Sequence, residues 1–236
     1  SLMREPAHAA SVIGAMVKAV KIPVTVKMRA GWNDSERNAP RLARMVEDAG
    51  AAAIAVHGRT AAQSYGGSAD WDLVAGIASD LAIPVFGSGD CIEPEQIVAR
   101  LRGGVEGVLV GRGVLRNPWI LAQAADLAAG RPPRQVTPQD RGEFLFEYIE
   151  LLTSESVRDA DAHRRGGGPA SHDRWVINKL RALASWYTKG LDNGSHLRTA
   201  VNAADSLDSV RDLVADFFKL DGVPAPVKAN SACASR

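Results

Sequence analysis

Lys27 and His57 each close a short hydrophobic run. The runs are Val24-Thr25-Val26-Lys27-Met28-Arg29 and Ala53-Ile54-Ala55-Val56-His57-Gly58-Arg59. An ammonium and an imidazole at neighbouring strand ends can point donors at the carbonyl and nitrogen edge of a planar, electron-rich ring. Two later runs end in glycine instead, at Gly87-Ser88-Gly89-Asp90 and at Gly111-Arg112-Gly113. Glycine lets backbone N–H groups converge on an anion, and a helix start adds a favourable dipole. Arg112 adds a charge-assisted contact to the same ligand. Each feature also has a plainer explanation. A strand-end lysine can be a surface residue, a histidine there a structural hydrogen-bonder, and two glycine turns can be tight turns without a ligand.

These residues gain meaning only if one framework brings them together. Strand starts recur about every 25 to 30 residues, the size of one β/α unit. Between them lie helical patterns. Val12, Ile13, Met16 and Val17 repeat at three- and four-residue steps, as do Leu42, Met45, Val46 and Ala49. Pro40 sits in the first turn of the second pattern and Gly50 just beyond its end. Trp71, Val74, Ile77 and Ala78 mark a third, and Ile97, Val98 and Leu101 a fourth. The expectation is an α/β fold with parallel strands: a partial TIM (β/α) barrel, its last four β/α units in residues 1–130. In such a barrel the chemistry sits at the C-terminal ends of the strands, with phosphate sites commonly after the last two. The loop from His57-Gly58-Arg59-Thr60 through Gln63, Tyr65, Gly66 and Gly67 is long and polar. It is either a substrate-contacting lid or a solvated connection.

The style changes near Asn117-Pro118. Residues 131–220 read as a separate all-helical domain, opened by Thr137-Pro138 and continued by Phe144, Leu145, Tyr148, Ile149 and Leu152 at helical spacing. A loop is expected over residues 159–171, then helices from Arg174 to Lys189, Ser195 to Ala203 and Leu207 to Leu220, the last capped by Asp205-Ser206. Residues 221–236, rich in Ala, Pro and Ser, read as a disordered tail. Between His163 and Arg198 seven cations face two carboxylates. A basic helical face with aromatics suits an RNA backbone and unstacked bases, and a solvated cationic face is the competing reading.

Bulk composition excludes several classes. A net charge of +1 gives no argument for nucleic acid at the level of the whole chain. No apolar run approaches the roughly 20 residues of a membrane span. The two cysteines, Cys91 and Cys233, make no disulfide framework and fit a reducing cytoplasm. No metal-ligand spacing occurs, so no metal site is expected.

Taken in order, several motifs resemble those of the tRNA-dihydrouridine synthases. They are Val24-Thr25-Val26-Lys27-Met28-Arg29-Ala30-Gly31-Trp32, Val56-His57-Gly58-Arg59-Thr60, Gly87-Ser88-Gly89-Asp90-Cys91, and Val110-Gly111-Arg112-Gly113 with Asn117-Pro118-Trp119-Ile120. The nitrogen-regulation-protein-like bacterial branch is the nearest in pattern. Leu183-Ala184-Ser185-Trp186-Tyr187-Thr188-Lys189-Gly190, with Arg198 and Asn202-Ala203-Ala204, is similar to that family's helical tRNA-binding domain. The resemblance implies a cytoplasmic enzyme that reduces uridine in tRNA to 5,6-dihydrouridine, with FMN as cofactor and NADPH as reductant. It implies FMN contacts at Lys27, His57, Ser88, Gly89, Asp90, Gly111 and Arg112. It implies tRNA contacts at Arg29, Arg59, Arg174, Lys179, Arg181, Lys189 and Arg198. No membrane and no obligatory protein partner is expected.

The chain departs from that pattern twice. Ser88 stands where the family usually has Asn. The family's acid, a cysteine in an Asn-x-Gly-Cys-Pro loop, falls before Ser1, so no catalytic residue of that type is expected in this chain. The implied reading is the C-terminal part of such an enzyme, lacking roughly the first four β/α units, inactive by itself and weakly folded because two sheet edges are open. Two other readings stay open: an FMN barrel oxidoreductase acting on a small molecule, and a non-catalytic RNA-binding module.

Overall fold

Four strands form one sheet: β1 (Thr25–Arg29), β2 (Ala53–His57), β3 (Val85–Ser88) and β4 (Gly107–Leu109). All neighbours are parallel, in the order β1-β2-β3-β4. Parallel neighbours need a crossover, and a helix lies in each: α2 (Ala39–Asp48), α3 (Trp71–Asp80) and α4 (Pro94–Arg102). Helix α1 (Pro6–Ala19) precedes the sheet, and α5 (Arg112–Arg116) and α6 (Ile120–Ala128) follow it. The structure is a computed structural model that describes residues 2–154 and 169–220. The chain divides into two compact units, one up to Arg134 and one from Gln135.

Alternation along the strands decides which side chains are buried. Met28, Ile54, Val56 and Val85 project into a core shared with Leu42 and Val46 of α2, Val74 and Ile77 of α3, Ile97 and Val98 of α4 and Ile120 of α6. The burial of these groups is the main stabilising term for this unit. Gly87 also faces the helices, and a Cβ there would lie 2.2 Å from the Trp71 ring. The opposite face carries Thr25, Lys27, Arg29, Ala53, Ala55, His57, Phe86 and Ser88, exposed or half-buried.

Register sorts that open face into rows. Lys27, Ala55, Phe86 and Gly107 are successive partners, and so are Arg29, His57, Ser88 and Leu109. The second row is the rim at the C-terminal edge. Lys27 is therefore one row below His57 on the same face.

The second unit contains α7 (Pro138–Ser154), α8 (Pro169–Tyr187), α9 (Gly194–Ala203) and α10 (Leu207–Phe218). Leu145, Ile149 and Leu152 of α7 pack with Val176, Leu180, Ala184 and Tyr187 of α8, Leu197 and Val201 of α9, and Val210, Val214 and Phe218 of α10. The three- and four-residue spacing puts each set on one helical face. The Ser206 hydroxyl caps α10 by accepting from the Ser209 N–H at 3.1 Å. Tyr187 is fully buried and donates its hydroxyl to the Arg141 carbonyl at 2.9 Å, tying α8 to α7.

Element bounds differ from the sequence reading most at the start of α8. Helix α8 begins at Pro169, where a loop reaching Ser171 and a helix from Arg174 were expected. Proline is well suited to a first helical turn, so the glycine run before it does not delay the helix. The rest of the expected 159–171 loop, and the expected tail at 221–236, lie outside the described residues. The glycine turn at Gly111 opens a helix as expected, a short one of five residues, α5, ahead of α6. Among the described residues no strand follows β4, and no helix is long and apolar enough to cross a membrane.

Candidate active site at the strand ends

The rim draws together three loops. Gly89 follows β3 with φ +126°, and a Cβ there would sit 2.5 Å from Ala69 Cβ and 3.3 Å from His57 Nε2. The imidazole therefore lies against the bare backbone of the first glycine turn. The second turn closes on the first: a Cβ at Gly113 would lie 2.2 Å from the Cys91 carbonyl. Arg112 Nη2 is 4.0 Å from Asp90 Oδ1, and its guanidinium stacks 4.5 Å from the ring centroid of Tyr65, which is 63% exposed. His57, Gly89, Asp90, Gly111, Arg112 and Gly113 thus share one end of the sheet, with Ser88 beside His57 in register.

The electrostatics of that end are positive. Burial, then Arg29, Lys27 and Arg59, push the His57 imidazole down to about 4, against an upward pull from Asp90. His57 is therefore neutral at pH 7, able to donate from one ring nitrogen and accept at the other. Partial burial, then the Arg29 guanidinium, lower the Lys27 ammonium from its ordinary value. Burial works against the Asp90 charge, but the Ala69 N–H and the Arg59 guanidinium outweigh it and hold the carboxyl below its usual range.

Two arginines are used internally at this end. Arg59 is 2% exposed. It donates from Nε to the Gly66 carbonyl at 3.0 Å, and from Nη2 to the Gly67 carbonyl at 2.6 Å and to both Asp90 oxygens at 2.8 Å. Its Nη1 is buried without an acceptor among the described residues. Arg29 Nη1 donates to the Thr60 and Ser64 carbonyls at 2.9 and 3.1 Å. Thr60 and Gln63 close the intervening turn reciprocally, at 2.8 Å from the Thr60 N–H to Gln63 Oε1 and 3.2 Å from the Gln63 N–H to Thr60 Oγ1. The loop after His57 is thus pinned at many points rather than solvated along its length.

The start of α4 contributes less than its position suggests. Gln96 Oε1 accepts the Ile92 and Glu93 N–H groups at 2.8 and 3.0 Å. Those amides are satisfied inside the protein, which leaves the glycine turns themselves as the place for an anion. Cys91 is buried beneath, with its thiol pushed up to about 11 by that burial. It is not poised to release a proton.

In the helical unit the five expected cations divide. Arg174, Lys179 and Lys189 are exposed. Lys179 Nζ sits 5.3 Å from the Trp175 ring centroid and Lys189 Nζ 4.0 Å from that of Trp186. Arg181 instead donates to the Ala204 carbonyl at 2.8 Å and to Asn178 Oδ1 at 3.2 Å. Arg198 donates to Thr188 Oγ1 at 3.2 Å. Arg164 and Arg165, part of the expected cationic run, lie outside the described residues.

Sequence reasoning named the rim residues but missed their internal partners. The Arg59–Asp90 pair spans the crossover from β2 to β3, and no local pattern announces it. Tyr65 against Arg112 was missed for the same reason, although an aromatic residue inside a polar loop was a visible signal.

A parallel β/α unit with paired glycine turns at its strand ends, joined to a helical unit bearing cations on tryptophan faces, defines a class: an α/β unit suited to an anionic ligand, with a basic helical extension. Comparison with known proteins makes the assignment specific. The model of the dihydrouridine synthase family matches residues 1–219, and the chain belongs to that family. It is 34% identical over 220 residues to a probable tRNA-dihydrouridine synthase of Rickettsia prowazekii, covering 92% of this chain and 63% of that protein. It is 35% identical over 236 residues to tRNA-dihydrouridine synthase B of Xanthomonas campestris pv. campestris, covering 97% of this chain and 66% of that protein. The chain thus spans a little under two thirds of the length of such relatives.

Proposed function

We propose that this chain carries the FMN-binding strand ends and the tRNA-binding helices of a tRNA-dihydrouridine synthase, an enzyme reducing uridine in tRNA to 5,6-dihydrouridine with NADPH as reductant. The observation that carries the reading is the meeting of Lys27, His57 and both glycine turns at one end of a parallel sheet. In this reading the sheet is part of a (β/α) barrel, and its open face, with Lys27, Ala55 and Phe86, lines the interior.

The residues fit a flavin mononucleotide on their own chemistry. Gly89 and Gly113 let the two turns pack tightly on Ala69 and the Cys91 carbonyl, and a Cβ at Gly111 would meet nothing within 4 Å, so bare backbone at the Ser88–Asp90 and Gly111–Gly113 turns suits a phosphate, with Arg112 as a charged partner. Lys27 and neutral His57 present donors to the carbonyl and nitrogen edge of the ring. The chemistry that bound FMN supplies is hydride transfer to C6 of a uracil. The cations there, Arg29 at the rim and Lys27 one row below it, favour negative charge at that edge and at a nearby nucleotide.

Protonation of C5 needs an acid that these residues do not provide. Cys91 is buried with a raised thiol pKa, and neither cysteine lies in an Asn-x-Gly-Cys-Pro sequence. The chain alone is therefore expected to take up FMN and tRNA without turnover. Arg174, Lys179 and Lys189 are the residues offered to the tRNA backbone, with Trp175 and Trp186 carrying two of them.

The test is a visible spectrum after reconstitution with FMN, paired with a dihydrouridine assay on unmodified tRNA. A yellow protein with no turnover is the expected result. A protein that stays colourless at millimolar FMN overturns the cofactor reading. Robust turnover by this chain overturns the statement that the acid is missing.

A further inference from the structure

Arg59 and Asp90 stand apart from the other rim residues because their charged groups are spent on each other. The Asp90 carboxylate takes both short bonds from Arg59 Nη2 and a third from the Ala69 N–H at 2.7 Å. Asp90 also holds a left-handed backbone, φ +50°, which non-glycine residues adopt only when their surroundings impose it. Arg59 in turn holds the Gly66 and Gly67 carbonyls. Ala69, fixed by Asp90, is the residue whose Cβ confines Gly89, and Gly89 is the backbone against which the His57 ring lies. The chain of contact runs from Arg59 to Asp90, to Ala69, to Gly89, to His57.

We propose that Arg59 and Asp90 are a positioning pair, a buried clamp that locks the loop after β2 to the turn after β3 and so fixes the His57 imidazole relative to the phosphate-suited backbone, rather than ligands of RNA or of phosphate. The inference rests on the cofactor reading above for its functional meaning, but its geometry is independent of it. It assigns Arg59 away from tRNA: a guanidinium 97% buried and bonded on two nitrogens cannot also reach a polynucleotide backbone. It also assigns Asp90 a role that its charge permits, since a carboxylate aimed at a phosphate would repel it.

The clamp has a signature that a purely local brace lacks. The groups facing His57 are Lys27 and Arg29 on β1, Arg59 in the loop after β2 and Asp90 in the turn after β3. Removing Arg59 deletes a cation that faces His57 and the nearest counter-charge of Asp90, so the His57 midpoint rises. Removing the Asp90 charge deletes its one upward pull, so the midpoint falls. Positioning adds a separate effect: His57 and Gly89 drift apart in both variants.

The experiment uses the whole chain with its histidines isotope-labelled, the His57 ring signals being identified by their loss in His57→Gln. In Arg59→Met the His57 midpoint is expected to move up and in Asp90→Asn down. The nuclear Overhauser contact between the His57 ring and the Gly89 α-protons is expected to weaken in both. Affinity for FMN is expected to fall by about 10- to 100-fold in both, as for partners that orient a ligand-binding side chain, and to recover in part in Arg59→Lys. Binding of tRNA should change less than about 2-fold.

Folded variants that keep the His57–Gly89 contact and the parent FMN affinity overturn the proposal. So does an Arg59→Met variant whose loss is confined to tRNA binding, which would restore Arg59 as an RNA ligand. If the parent chain takes up no FMN, the cofactor reading fails, while the Overhauser and titration measurements still judge the clamp. If Arg59→Met does not fold, Asp90→Asn, equal in shape, decides.

Discussion

The two units offer charge to a ligand in opposite ways. At the strand ends, side-chain charge is largely consumed internally: Arg59 goes to Asp90 and Arg29 to the Thr60 and Ser64 carbonyls. What faces a ligand is chiefly backbone at two glycine turns and a neutral imidazole, with Lys27 and Arg112 as the cations beside them. In the helical unit, Lys179 and Lys189 stand exposed over tryptophan faces. The first arrangement would suit a small, rigid ligand, because backbone amides cannot relocate without moving the fold. The second suits a long polyanion, because each lysine contributes alone and tolerates displacement.

The comparison is most exposed to a change at the turn itself. Gly89→Val adds a side chain where Ala69 and the His57 ring already stand, at a φ of +126°. It is expected to destabilise the protein by about 3 kcal/mol or more and to abolish FMN uptake, read by urea unfolding and by flavin fluorescence. Retained uptake would mean that the turn is not the anion site.

Ile149→Ala, at a fully buried position in the helical core, is expected to cost about 3 kcal/mol through a cavity. It should weaken tRNA binding while leaving FMN affinity intact in the folded protein. Loss of FMN binding at the same urea concentration as loss of helicity would erase the distinction between the units.

A smaller effect comes from pH. The His57 pKa lies below its unfolded value, near 4 against 6.5. The unfolded chain therefore binds the proton first, and the stability associated with neutral His57 is present above about pH 6.5 and is lost as pH falls toward 4. Thermal unfolding of His57→Gln across that window should show a flatter dependence than the parent, and an identical profile would mean that the imidazole is solvated.

The smallest change belongs to the helical cations. Lys179→Gln and Lys189→Gln should each lower the salt slope of tRNA binding by about 0.7 to 0.9, additively, in a filter-binding titration. A strongly non-additive pair would indicate a specific pocket instead of a polyanion track.

Much of this was legible before any coordinates. Lys27 and His57 were visible as polar residues closing hydrophobic runs, and the glycine turns as breaks after later ones. The helical core was visible in the spacing of Leu145, Ile149 and Leu152. Arg29, Arg59, Arg181 and Arg198 were legible only as cations. Their internal partners lie in other elements, Asp90 for Arg59 and the Ala204 carbonyl for Arg181. A charge reads the same in sequence whether it meets solvent, a carbonyl or a carboxylate.

Period and punctuation therefore determined the elements, because alternation and helical spacing are properties of a single segment and glycine or proline acts on its own backbone. They also determined which residue types stand at strand ends. Only tertiary structure decided that β1 to β4 pair in order, that Lys27 lies one row below His57, and that Arg59 is buried against Asp90. Those outcomes depend on register and on loops packing across crossovers, where the contacts are non-local and the free energy belongs to the assembled sheet rather than to any stretch of chain.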